Sequence, residues 1–218
     1  MNLLAIETSS NACSVALLTG ETTTVFHEVA PMQQTKQILP VIQKLLAETG
    51  IGLKDLDALA FGCGPGSFTG VRIASSVTQA LAFVEKLPII SISSLAAIAQ
   101  SAWLEQQYPQ SLVALDARMN QVYWAAYKVN EQGLVELQGE EQVCLPQEIK
   151  ASQPGVWYGL GDGWNKYQQE LVSQLAFEPA AIKIKQLPTA EGVLALAKNK
   201  FERGEWVEPA GALPVYLR

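Results

Sequence analysis

The residues best suited to chemistry lie in one run, Phe61-Gly-Cys-Gly-Pro-Gly-Ser-Phe-Thr-Gly-Val-Arg-Ile73. A short apolar strand, Ala58-Leu-Ala-Phe61, enters it, and a helix of small and apolar residues leaves it. Gly62, Gly64 and Gly66 permit backbone angles that a Cβ forbids, and Pro65 fixes one φ among them. Ser67 stands where an N-cap belongs. A helix start of this kind suits an anion, or the close approach of another backbone. Two familiar nucleotide loops are excluded by residue type. Gly70 is followed by Val71 instead of the Lys of a Walker A loop, and Thr69 stands where the dinucleotide fingerprint needs Gly. The plainer reading is a tight, well-capped turn between strand and helix.

Other chemistries find little material. His27 is the single histidine and sits in the middle of a predicted strand, so no Ser or Cys has a general base within a recognisable triad order. Glu7, Glu140 and Glu141 have no spacing that suggests paired carboxylate catalysis. The three cysteines, Cys13, Cys63 and Cys144, form no CxxC pair and read as reduced, partly buried thiols of a cytosolic protein.

A chain of 218 residues makes one large domain or two small ones, and 49% hydrophobic residues suffice for a sizeable core. Charged residues are 17% of the chain, well below the ~25% usual in globular proteins, so some surface is expected to be covered by a partner. The net charge of −6 supplies no basic field for a phosphate backbone, and the chain alone is expected to bind nucleic acid poorly. Met1-Asn2 leads directly into a strand, and no apolar run approaches the ~20 residues of a membrane span. A cytoplasmic location without membrane contact is expected.

The elements that must position these residues fall into two similar series. The first predicts strands at 3–6, 12–18 and 22–29, a helix over 35–49, a strand at 57–62, a helix over 68–85, a strand at 89–92 and a helix over 95–106. The second predicts strands at 112–115, 122–127 and 134–143, a short helix over 146–152, a strand at 157–160, a helix from 161 to 175 and a last helix over 189–203. Each series opens with a buried strand that ends in an acid, Glu7 or Asp116, followed by a polar turn. The lobe boundary is placed near 107–111, giving domains 1–107 and 108–218.

Two βββαβα-type lobes in an α/β chain describe the actin-like ATPase (ASKHA) duplication, whose two hairpin turns clamp nucleotide phosphates. Ile6-Glu-Thr-Ser9, Gly64-Pro-Gly-Ser-Phe-Thr-Gly-Val-Arg72, Leu115-Asp-Ala-Arg118 and Pro214-Val-Tyr-Leu-Arg218 closely resemble the TsaB (YeaZ) family of bacterial tRNA threonylcarbamoyladenosine biosynthesis proteins. The resemblance covers essentially the whole chain. It implies a non-catalytic partner of the transferase TsaD that acts with the ATPase TsaE and meets tRNA only through the complex. The alternative is an actin-like ATPase or a peptidase acting on its own.

The resemblance also bears on single residues. The paralogue TsaD is implied to hold its metal through a His-x-x-x-His helix; Gln34 and Ile38 stand at the matching positions, and neither replaces a neutral imidazole. No metal site and no tightly bound cofactor are expected, and ATP is left a place at a partner interface. Actin-like ATPases carry Asp-x-Gly in both phosphate hairpins, whereas this chain has Glu7-Thr8-Ser9 and Asp116-Ala117-Arg118, without the glycine. Glu7, Thr8, Ser9, Gly64, Gly66, Ser67 and Asp116 are therefore read as vestigial nucleotide contacts. Gly161-Asp-Gly163 resembles the adenosine-side loop of the fold.

What remains is an interface. Gly70, Ala74, Thr78 and Ala82 recur every four residues, with Val71, Ser75 and Leu81 beside them, and the helix over 35–49 is apolar over more than the ~100° of one core face. Ile38, Ile42, Leu45, Gly70, Val71, Ala74, Ser75, Thr78 and Ala82 are expected to form the partner face. That face would serve a heterodimer with TsaD and, in its absence, a homodimer, by four-helix packing.

Overall fold

Residues 3–6 and 12–18 are apolar almost without interruption, as in strands covered on both faces. They form β1 (Asn2–Glu7) and β2 (Ala12–Thr19), an antiparallel hairpin buried along nearly its whole length. The structure, a computed structural model, describes residues 1–150, 155–175 and 177–217. The edge strand β3 (Thr22–Val29) pairs with β2 and is largely exposed, which matches its run of threonines. On the other side, β4 (Ala58–Gly62) and β5 (Ile89–Ile92) add in parallel, for the order β3-β2-β1-β4-β5.

Helices α1 (Gln34–Thr49) and α2 (Phe68–Glu85) cover one face of this sheet. Gly50 ends α1 in the left-handed conformation, φ 73°, where a Cβ is disfavoured. Ser67 caps α2, its hydroxyl accepting the Gly70 N–H at 3.4 Å. Under the two helices lie Leu4, Ile6, Val15, Leu17, Leu59 and Phe61 from the strands, and Ile38, Ile42, Leu45, Ala74 and Ala82 from the helices themselves.

The second sheet repeats the plan. β6 (Gln110–Arg118) and β7 (Gln121–Val129) form its antiparallel hairpin, and β10 (Tyr158–Leu160) and β11 (Ala181–Lys183) add in parallel to β6. The expected strand over 134–143 is two short ones, β8 (Val135–Leu137) and β9 (Gln142–Cys144), both paired with β7. Gly139, at φ 91°, takes the chain out of extended geometry between them. Of the helix expected over 146–152 the structure shows a 3-10 turn, Pro146–Glu148; residues 151 and 152 lie outside those described. α4 (Gly163–Leu175) covers this sheet through Trp164, Tyr167, Leu171 and Leu175. β11 and the 3-10 turn Leu53–Asp55 have no counterpart in the sequence reading.

The division of the chain differs from the expected one at 107/108. One compact unit is Met1–Ala97 with Pro188–Val215; the other is Ile98–Leu187 with Tyr216–Arg218. The cause is the placement of two helices. α3 (Ser94–Gln106) starts in the first unit and continues into the second, where the buried Gln100 donates to the Gly133 carbonyl and accepts the Val135 N–H. α5 (Ala190–Glu202) comes from the second half of the sequence but belongs to the first unit. Its Ala190, Val193, Leu194 and Ala197 pack on Leu3, Ala5, Ala16, Ala58, Ala60 and Ile90.

Candidate functional site

The candidate site of the first unit is the turn Glu7-Thr8-Ser9 between β1 and β2, seated on the loop from β4 to α2. The two segments meet backbone to backbone. Ser67 N–H donates to the Ser9 carbonyl at 2.7 Å, and the Thr8 hydroxyl donates to the Gly70 carbonyl at 2.7 Å. A Cβ on Gly70 would stand 1.9 Å from the Thr8 carbonyl oxygen, and one on Gly66 would stand 2.6 Å from that of Ser9. These glycines therefore serve close approach of another backbone, one of the two uses the sequence allowed. The loop also holds a cis Gly64–Pro65 peptide. Its Gly64 carbonyl accepts the Ser94 N–H at the head of α3, and the Cys63 carbonyl accepts Val215 N–H from the C-terminal segment.

Glu7 is completely buried in this knot. Its Oε1 accepts the Ser9 N–H at 2.5 Å and its Oε2 accepts the Ser94 hydroxyl at 3.1 Å. Burial pushes its carboxyl above the usual range, against the opposing effect of the Ser9 and Ser94 hydrogen bonds. Six of the seven nominated nucleotide contacts, Glu7, Thr8, Ser9, Gly64, Gly66 and Ser67, are thus brought together, tied to one another through Ser9 and to Gly70 and Ser94 beside them.

Asp116 belongs to the second unit and is built differently. Its Oδ1 accepts the Arg118 N–H at 3.0 Å, and its carboxylate lies 3.6 Å from both Arg118 and Lys166. Its own N–H donates to Asp162 Oδ1 at 3.0 Å. Arg118, Met119 and Asn120 all have positive φ, so this turn is made by left-handed side-chain residues instead of glycine. Gly161 and Gly163 lie against the Ala114 backbone, which gives that glycine pair a packing role.

The positions matched to imidazoles in the resemblance carry structural side chains. Gln34 is buried and donates to the Ser10 carbonyl at 3.0 Å, and Ile38 is in the core. Among the described residues no three His, Cys, Asp or Glu side chains are grouped as a metal would need. His27 lies on the edge strand β3.

The nominated partner face is corrected. Ile38, Ile42, Leu45, Gly70, Val71, Ala74, Ser75, Thr78 and Ala82 are all buried within the first unit. The stripe of small residues lets α2 sit close to its own sheet, and Ser75 donates to the Ala212 carbonyl at 2.9 Å. Of the large apolar side chains on α1 Leu39, 53% accessible, is the exposed one, with the smaller Pro40 and Ala47 also outward. The outward stripe of α2 is offset from the nominated one by two residues: Phe68, Arg72, Ser76, Ala80 and Val84 are all exposed, with Phe83 beside them at 77%. An offset of two residues turns about 200° around a helix, to the opposite face.

The family model described as "TsaD: tRNA N6-adenosine threonylcarbamoyltransferase" matches residues 20–186. The tRNA threonylcarbamoyladenosine biosynthesis protein TsaB of Escherichia coli is 40% identical, with 100% of this chain and 95% of that protein covered. The chain belongs to the TsaB family. TsaB of Haemophilus influenzae is likewise 40% identical, over 100% of this chain and 94% of that protein. The solved structure of YeaZ from Pseudomonas aeruginosa superposes with a TM-score of 0.92 at 43% identity, covering 99% of each chain. The match to the TsaD model and the repeated five-strand order place this TsaB chain in the actin-like fold. No helix among the described residues is long and apolar enough to cross a membrane.

Proposed function

We propose that the chain is a non-catalytic partner of a TsaD-type threonylcarbamoyltransferase in the formation of threonylcarbamoyladenosine beside the tRNA anticodon. The observation that carries this reading is the outward face of α1 and α2. Phe68, Phe83, Val84 and Leu39 leave apolar area in water at roughly 25 cal/mol per Å², while Ser76 and Ala80 leave room for a partner helix to approach. The reading is supported by the names of the full-length relatives. It is also supported by the first hairpin turn, whose Ser9 amide and Thr8 hydroxyl are engaged within the chain, and by Gln34 and Ile38 in place of metal-ligating imidazoles. In this account TsaE joins through the complex, tRNA is held by the partners, ATP binds where chains meet, and the lone chain pairs with a second copy in the cytoplasm through the same outward face.

The test is co-purification with a tagged TsaD-type protein. Wild-type chain is expected to co-purify, and Ala80→Arg and Val84→Arg are expected to keep native circular dichroism but lose both the partner and the homodimer. Full binding by both variants would place the interface elsewhere. Titration calorimetry with ATP and Mg²⁺ checks the alternative of an ATPase acting alone, which requires tight binding by the isolated chain.

A further inference from the structure

Glu7 is the only acid among the described residues that is wholly buried. Ser14 faces it across β2, Gly62 ends β4 beside it, Ser9 follows it in the turn, and Ser94 stands at the head of α3. None of these is ionisable; the head of α5 also reaches this place, its Ala190 N–H donating to the Ser14 hydroxyl, and the charged residue of its first turn, Glu191, is exposed. The first charged residue of α2, Arg72, is exposed and stacks on Phe68, 3.7 Å from the ring centre. A carboxylate in that place would have hydrogen bonds but neither solvent exposure nor, among the described residues, a counter-charge, which is a costly state. The uncharged acid satisfies the same geometry: Oε1 accepts the Ser9 N–H, and the proton on Oε2 is donated to the Ser94 hydroxyl oxygen.

We propose that Glu7 is a proton-dependent latch: as the uncharged acid it closes the β1–β2 turn from the inside, and ionisation loosens that turn. The Ser9 amide, one of the donors a phosphate hairpin would offer its ligand, is occupied by this internal acid. Opening the turn would also disturb Ser67, whose N–H binds the Ser9 carbonyl, and so the head of α2. Glu7 acts here as a positioning residue.

The latch has a defined pH signature. The folded-state value is raised above the ordinary 4.5, so the unfolded chain loses this proton first. The contribution of Glu7 to stability is complete below pH 4.5 and is lost as pH rises through the folded value. Within that window each pH unit lowers the folded-to-unfolded ratio by up to about tenfold.

The experiment is urea unfolding of the full chain, wild type and Glu7→Gln, from about pH 4 to about pH 9. The amide keeps an acceptor for Ser9 and a donor for Ser94 but cannot ionise. The variant is expected to match wild type at the acid end and to exceed it by up to about tenfold per pH unit above that. Parallel curves would overturn the latch. Should Glu7→Gln not fold, carbon-13 titration of wild type replaces it. The Glu7 carboxyl carbon is expected to stay in its protonated position while the surface glutamates titrate, and the Ser9 amide to move only when Glu7 does. Titration with the other glutamates, or an unresponsive Ser9 amide, would overturn the proposal. Neither measurement involves a partner, so failure here is distinct from failure of the docking face.

Discussion

The Oε2 atom of Glu7 occupies the position where a side chain on Gly62 would begin: an ideal Cβ there stands 1.7 Å from it. Gly62→Ala is expected to destabilise the chain by on the order of 3 kcal/mol, because β4 cannot shift away from β1 and β5 to make room. Removing the acid as well relieves the clash. The double variant Gly62→Ala/Glu7→Ala is expected to be more stable than the two single losses summed, with a coupling of about 1–3 kcal/mol. Urea denaturation of the four proteins measures it, and additive losses would show that the two residues do not compete for space.

The inward stripe of α2 makes the opposite prediction from its outward one. Ala74→Arg is expected to abolish cooperative folding, since the side chain is fully buried against the sheet. Thr78 offers a finer probe. Its buried hydroxyl oxygen has no hydrogen-bond partner among the described residues, so Thr78→Val is expected to raise stability by about 1 kcal/mol while preserving shape. Thermal unfolding decides it; a loss on the same scale would mean that the hydroxyl is satisfied.

Gln100 joins α3 to the turn between β7 and β8 by two hydrogen bonds. Gln100→Leu leaves the Val135 N–H and the Gly133 carbonyl without those bonds, at an expected cost of about 2–3 kcal/mol. Amide exchange at Val135 is expected to accelerate more than at Ala125, in the middle of β7. Uniform acceleration would indicate global weakening instead.

Burial, with Glu28 nearby, pushes the Cys13 thiol up to about 11. At pH 8 only about one thiol in a thousand would be ionised. Cys13 is expected to react with aromatic disulfide reagents only after unfolding. Mass spectrometry of the labelled native protein checks this, and rapid native labelling at Cys13 would contradict it.

The sequence made α2 and β5 legible to the residue, because Ser67, Pro88 and the apolar runs between them mark both ends. It did not make the facing of α2 legible. Ser76 and Ala80 are as small as Ala74 and Ser75, so side-chain size alone cannot distinguish the stripe that meets the sheet from the one that meets solvent. The wide apolar arc of α1 misled for a related reason: α1 packs on both β2 and α2, so it needs two inward faces, and Val41 and Leu46 are used there. At the turn, an acid at a strand end was readable as a cap, and Glu7 does accept the Ser9 N–H. Its complete desolvation was not readable, since it depends on Ser94 and Gly62, both more than fifty residues away.

The exchange of helices between the units has a consequence for synthesis. When the ribosome has made the five strands of the first sheet, the helix that covers Leu3, Ala5, Ala16, Ala60 and Ile90 has not yet been translated. Those side chains wait through nearly a hundred further residues for α5, and a nascent chain of this length is open to aggregation in the interval. Completion of the first unit is thereby tied to Pro188–Val215, and a chain cut before Pro188 would leave the ribosome with that apolar face uncovered.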